Sequence, residues 1–355
     1  MKNVVILFSS FMMIVLMLLG CGEVTAQTVG WAIGTDTTGV PAIVNTKNGG
    51  QSWQLQGDLS AWKGQSGCDI SAVDEMTAWA ALGDGTPGTR GAILYTTDGG
   101  DNWVSQQFSD TLIDGIKGIK GLSQSEAWAA SLHGTILHTV DSGTTWTVIP
   151  HPTAPINQVN RIDAQGTNVW IADSYGDIVH TTDIGQNWRS ERLPKGDNPL
   201  TVHAYSPQFV WASGAVLELN PAFYRTIDSG STWNKVIRVG IMDHLDDVCA
   251  ADPDDAWAVQ NGDETNGNIW CVHITEQGQP EAKNVSPPLL FGYMPGGVTC
   301  MDAEEAWVVA QKGMPIDVKK PKGIILYKNK DEDWVQQEAP IHVCYWKISF
   351  AGARR

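Results

Sequence analysis

Apolar and polar positions along this chain alternate in short bursts, and nowhere do they keep the spacing of a long amphipathic helix. Runs such as GAILYTT (91–97), GTILHTV (134–140), VNRIDA (159–164) and GDIVHTT (176–182) are rich in β-branched and aromatic residues. Each is bounded by Gly, Asp or Asn. Such runs predict strands joined by hairpins. A helical solenoid would need longer runs with a 3.6-residue repeat. The chain reads as all-β.

Two words recur. The first is a Trp strand: GWAIG at Trp31, AWAAL at Trp79, AWAAS at Trp128, VWIAD at Trp170, VWASG at Trp211, AWAVQ at Trp257 and AWVVA at Trp307. The gaps are 48, 49, 42, 41, 46 and 50 residues, a period that suits a four-stranded propeller blade. The second word follows a Gly-led strand: TKNGGQSW (46–53), TTDGGDNW (96–103), TVDSGTTW (139–146), TTDIGQNW (181–188) and TIDSGSTW (226–233), with a worn copy, YKNKDEDW, at 327–334. Placed at the hairpin between third and fourth strands, Asp98, Asp141, Asp183 and Asp228 accept hydrogen bonds from turn amides, and the Gly takes positive φ. Trp103, Trp146, Trp188 and Trp233 then pack between blades. Each copy offers one carboxylate, where calcium wants several oxygens. These residues are expected to be structural, not metal ligands.

The second word resembles the Asp-box, or bacterial neuraminidase repeat. Together with the Trp strand it makes the chain similar to the propeller family of photosystem II stability and assembly factors. That resemblance implies a seven-bladed β-propeller over residues 29–352, acting as a rigid platform for a membrane-protein partner, with no chemistry and no cofactor of its own. Photosynthetic members carry a cluster of Arg on the ring, and this chain has no evident equivalent. A partner other than a photosystem is therefore expected. The final segment, HVCYWKISFAG (342–352), has the inner-strand pattern with no Trp strand after it. Pairing beside the 29–34 strand would close the ring and remove two exposed edges.

The amino terminus reads as a targeting segment. Lys2 precedes an apolar stretch from Val4 to Leu19, and Leu18-Leu19-Gly20-Cys21 resembles a bacterial lipoprotein signal. Residues 1–20 would then be a signal peptide, Cys21 the lipidated residue and 21–28 a tether. A transmembrane helix would need about 20 apolar residues and a basic stop-transfer flank. Gly22 stands where enterobacterial inner-membrane retention favours Asp, so the outer membrane is expected, with the periplasmic side and the cell surface both open.

Charge and loops narrow the function. With 23 Lys and Arg against 39 Asp and Glu, the chain is a poor ligand for nucleic acid or a basic-patch membrane contact. In blade geometry the Asp words share one face with the turns between first and second strands. The opposite face carries the long segments 54–67, 104–116, 147–157, 189–199, 234–246, 282–297 and 310–323, where binding is expected. On it, Trp62 fits neither repeat position, and PPLLFGYMPGG (287–297) holds Leu289, Leu290, Phe291, Tyr293 and Met294. Trp62, Phe291, Tyr293 and Met294 are the candidate partner-binding residues, with burial over blade edges as the competing reading. Asp243, His244 and Asp247 could be drawn together around a metal, but an exposed acidic loop is the simpler expectation. Beyond Cys21 lie Cys68, Cys249, Cys271, Cys300 and Cys344, with no zinc or haem spacing. An exported protein could oxidise a neighbouring pair, although inner strands of adjacent blades are expected to diverge.

Asp-box propellers include sialidases and other glycoside hydrolases, so an enzyme is the first rival. The sialidase entry motif Arg-Ile-Pro is absent, while Arg90, Arg189, Arg192 and Arg238 fall in or beside the candidate loops. A general glycosidase needs only two carboxylates across a cleft. A non-catalytic protein-binding module is the favoured reading. The alternative is a glycoside-active or carbohydrate-binding propeller, for which Trp62 would offer a stacking face.

Overall fold

Each Trp-strand repeat folds into one four-stranded antiparallel sheet, and seven of these sheets form the blades of a closed propeller. The computed structural model describes residues 28–352, apart from 84–89, 107–113, 151–157, 175, 195–196, 216–219, 241–243, 262–266, 313–322 and 341. From blade one to blade seven the inner strands are Val343–Phe350, Ser66–Ala72, Ile116–Gly121, Val159–Gln165, Asn198–Ala204, His244–Ala250 and Tyr293–Cys300. The second strands each carry the repeat Trp.

Closure is made by the carboxy-terminal strand. Val343–Phe350 pairs antiparallel with Gly30–Asp36, setting Phe350 opposite Gly30 and Val343 opposite Asp36. Blade one is thus built from both ends of the described chain, and its inner edge is never left open.

The core consists of layers between blades. Trp31, Trp79, Trp128, Trp170, Trp211, Trp257 and Trp307 are all essentially buried. Each anchors a separate apolar cluster made by its own blade and the next one. On the third strand the residue opposite the Trp covers its face: Tyr95 stacks on Trp79 at 3.9 Å and His138 on Trp128 at 4.0 Å. The outer Trp of the following blade meets its edge, as Trp146 does on Trp79 at 5.8 Å. A buried Trp contributes on the order of 4 kcal/mol of transfer free energy. A turn hydrogen bond contributes roughly 1 kcal/mol net. The Trp layers therefore hold blade to blade, and the turns shape each blade.

Those turns repeat closely. In blade three Thr145 N donates to Asp141 Oδ1 at 2.9 Å, Thr145 Oγ1 donates to Asp141 Oδ2, and Gly143 N donates to Thr139 Oγ1 at 3.0 Å. The same set forms around Asp98, Asp183 and Asp228, and Asn48 substitutes for the carboxylate in blade one. Two successive residues take positive φ, such as Ser142 at 59° and Gly143 at 77°. The worn copy differs: Asn329 accepts from the amides of Asp331 and Glu332, without the paired left-handed residues. Ser142 N also donates to Ser125 O, in the turn between the first and second strands. Similar bonds recur in other blades, so the two kinds of turn share one face.

Two expectations need revising. The segments read as irregular links open with the short outer strands, for example Gln54–Gln56 and Arg189–Arg192. Inner strands also do not diverge enough to keep thiols apart. Cys249 and Cys300 are disulfide-bonded across blades six and seven, with Cα atoms 6.1 Å apart. At the axis the inner strands lie side by side, within reach of such a bridge.

Candidate functional site

The inner strands do more than pair. In every blade the register between first and second strands shifts by one residue near the strand start, the signature of a β-bulge. Bulges re-aim side chains and are enriched near functional sites. The extra residues are Trp346, Cys68, Lys117, Asn160, Leu200, Asp246 and Gly296, from blade one to blade seven. Each is half-buried or exposed, whereas the strand residues beside it are mostly buried. All seven line one central cavity of about 510 Å³. The cavity opens among the starts of the inner strands and the ends of the second strands, opposite the Asp turns. This is the mouth of the ring. A fixed frame there presents an aromatic ring, a thiol, a cation, an amide, an aliphatic group, an acid and a gap.

One pleat below the mouth lies a charged girdle. Arg161 Nη1 meets Asp69 Oδ1 at 2.7 Å, Lys120 Nζ meets Asp163 Oδ1 at 2.5 Å, and Lys347 Nζ meets Asp247 Oδ2 at 2.9 Å. Each pair spans different blades, and the three cations balance the three anions. The carboxylates also accept from the backbone of the next blade: Asp69 from Ile119 N, Asp163 from Ala204 N, and Asp247 from Val298 N. His203 Nδ1 accepts from Ala250 N at 3.1 Å.

Burial pushes Arg161 toward losing its proton, but Asp69, Asp247 and Asp163 outweigh it and raise its pKa. Burial pushes Asp163 and Asp247 up, and their cations pull both below the ordinary value. At Asp69 burial wins and the carboxyl is raised. Burial likewise lowers Lys347 despite Asp247. The girdle is a closed electrostatic lock between blades, with its charges spent on one another.

Met294 lines the mouth. Phe291 stands 74% exposed on the turn just before that strand, and Leu289 is exposed beside it, while Leu290 is buried. Tyr293 packs half-buried against the layer between blades six and seven. Trp62 lies apart: it packs on the layer between blades one and two and borders a cleft of about 190 Å³ with Gln65 and Arg90. The acidic segment is not drawn together. Asp247 is committed to Lys347, His244 pairs with Asp246 at 3.2 Å, and Asp243 lies outside the described residues, as does Cys21. Arg192 and Arg238 are tied to Asp177 and Asp197. Among the described residues lining the mouth, Asp246 is the only carboxylate.

The sequence reading missed Trp346, which is 38% exposed at the rim. It sits inside a strand whose alternation would place it on a blade face, and only the bulge turns it inward.

No family model matches the sequence, and neither does any curated protein. Among solved structures the fold is similar to YCF48 bound to D1 peptide, at TM-score 0.63 and 16% identity, covering 87% of this chain and 94% of that one. It is similar to YCF48 from Cyanidioschyzon merolae at 0.59 and 15%, covering 86% and 96%. It is also similar to the GH74 xyloglucanase from Xanthomonas campestris at 0.55 and 11%, covering 76% of this chain but only 45% of that enzyme.

Proposed function

We propose that this chain is a non-catalytic binding platform: a lipid-anchored propeller of the bacterial envelope, with its mouth holding a segment of a membrane or envelope protein complex. The observation that carries this reading is the bulge ring. Seven strands each spend an irregularity to present a chemically different residue around one cavity. Such a surface suits recognition, because a stiff frame loses little entropy on binding. Trp346, Met294 and Phe291 supply the apolar anchors expected of a protein contact, and Lys117 and Asp246 set polarity. That a propeller of similar span, YCF48, was solved with a D1 peptide bound lends support by analogy of fold. The anchor rests on Cys21, and the outer membrane is the expected address.

A glycosidase needs two carboxylates across its cleft. The girdle acids here are neutralised by Arg161, Lys120 and Lys347, which weighs against that rival. Crosslinking and affinity purification from native membranes tests the reading. One reproducible membrane-protein partner should be recovered with the natural chain and lost with Trp346→Ala and Lys117→Glu. Equal recovery with both variants would place the contact outside the mouth, and turnover of glycans by the purified chain would favour the carbohydrate-directed alternative.

A further inference from the structure

The place where the tether leaves the ring determines which way the ring can face. Thr28, the first described residue, accepts a hydrogen bond from Gly49 N at 2.8 Å. Gly49 belongs to the turn TKNGGQSW in blade one, so the chain enters the ring on the turn face. The mouth lies at the other end of the same strands. Between Thr28 and the lipid on Cys21 stand residues 22–27. Fully stretched, the span from Cys21 to Thr28 is at most about 25 Å.

We propose that a bilayer holding Cys21 draws the turn face toward itself and keeps the mouth turned to the aqueous side. The partner segment in the mouth is then a water-exposed part of a protein, not a surface embedded in the same leaflet. This rests on the lipid anchor proposed above. To lay the mouth on that bilayer, the tether would first have to cross the two outer strands of blade one, about 10 Å at sheet spacing. It would then descend the length of a seven-residue strand, about 23 Å. The sum exceeds the reach of the tether. The axis offers no route within reach either, because crossing the one inner strand of blade one and making the same descent takes about 28 Å.

A second observation points the same way. Met76, Val140, Ile184 and Ile227 stand 50%, 66%, 42% and 52% exposed at the tips of the turn face in blades two to five. Apolar tips suit a face held near the headgroup–acyl boundary. The neighbouring turn carboxylates Asp98, Asp141, Asp183 and Asp228 are bound into their own turns. Being negative, they offer no attraction to anionic lipid, so the apolar tips are what would hold the face there.

The test uses the lipidated full chain in vesicles carrying a headgroup energy acceptor. Cys68, Cys271 and Cys344 are replaced by Ser, and a donor dye is placed at Val140→Cys on the turn face or at Lys117→Cys in the mouth. The Val140 site should lose most of its donor fluorescence and the Lys117 site little. Inserting about 20 flexible residues between Thr25 and Ala26, a further span of roughly 25 Å, should weaken the contrast, because only the apolar tips then hold the turn face to the bilayer. Equal or reversed quenching in chain confirmed as lipidated would overturn the orientation alone. Mass spectrometry showing no lipid on Cys21 would overturn the anchor and the orientation together.

Discussion

Ile184 stands where its neighbours in the repeat have Gly or Ser. Its φ is 58°, a left-handed value that costs a β-branched residue about 1–2 kcal/mol, and its side chain is 42% exposed. Ile184→Gly should therefore raise stability, by about 1 kcal/mol after the entropy cost of the new glycine, as a higher midpoint in urea. Asp141→Ala should do the reverse, lowering the melting temperature through lost turn bonds while leaving partner affinity intact. Loss of binding without loss of stability would contradict the structural role of these turns.

A second residue sets a pH dependence. Burial holds the pKa of His203 at about 4, against an ordinary 6.5, although Asp163 pulls it upward. His180 is also held at about 4 by burial. Between those values the unfolded chain binds protons that the folded chain refuses. Stability should fall as pH drops from 6.5 toward 4, by about 1.4 kcal/mol per unit for each site. Protonating His203 also removes the acceptor for Ala250 N. His203→Asn, which keeps an acceptor and cannot titrate, should roughly halve the slope of this limb in denaturation measured across that window, leaving the His180 part.

Among the elements, the inner strands carry the most consequence. Removing the chain after Pro340 strips blade one of Val343–Phe350 and opens the edge of Gly30–Asp36. The product should aggregate or be cut rapidly by protease, because an unpaired edge and an incomplete repeat destabilise cooperatively. A stable monomer would show that closure does not depend on that strand. Reducing Cys249–Cys300, which closes a loop across 51 residues of sequence, should cost about 2–4 kcal/mol, read as a lower melting temperature in reductant.

Blade number, strand order and closure were legible in sequence because the Trp strand keeps a blade period and each Trp fills one inter-blade layer. The same pattern left Val343–Phe350 as an inner strand in want of a partner. The disulfide was not legible. Cysteine spacing carries no information on how near two inner strands run at the axis.

For the whole molecule, the geometry of the two faces was legible and the cavity lined by the bulge residues was not. Repeat geometry placed the variable links opposite the Asp turns, and Met294 does reach the mouth. Trp62 was singled out because it breaks the repeat, yet it packs over a blade edge, away from the cavity. Trp346 obeys the strand pattern, and Cys68, Lys117 and Asn160 look like ordinary strand residues. A bulge is a property of two strands in register, so one strand's sequence does not announce it. The girdle was hidden likewise: Asp69, Lys120 and Arg161 are scattered in sequence and meet only at the axis.

The central claim is that the mouth, and not the turn face, holds the partner. Site-specific photocrosslinking in native membranes tests it most directly, with the crosslinker at Trp346 or Lys117 in the mouth and at Val140 on the turn face. The account predicts one reproducible protein adduct from both mouth positions and none of that adduct from Val140. Adducts from Val140 alone, with the mouth positions silent, would contradict it.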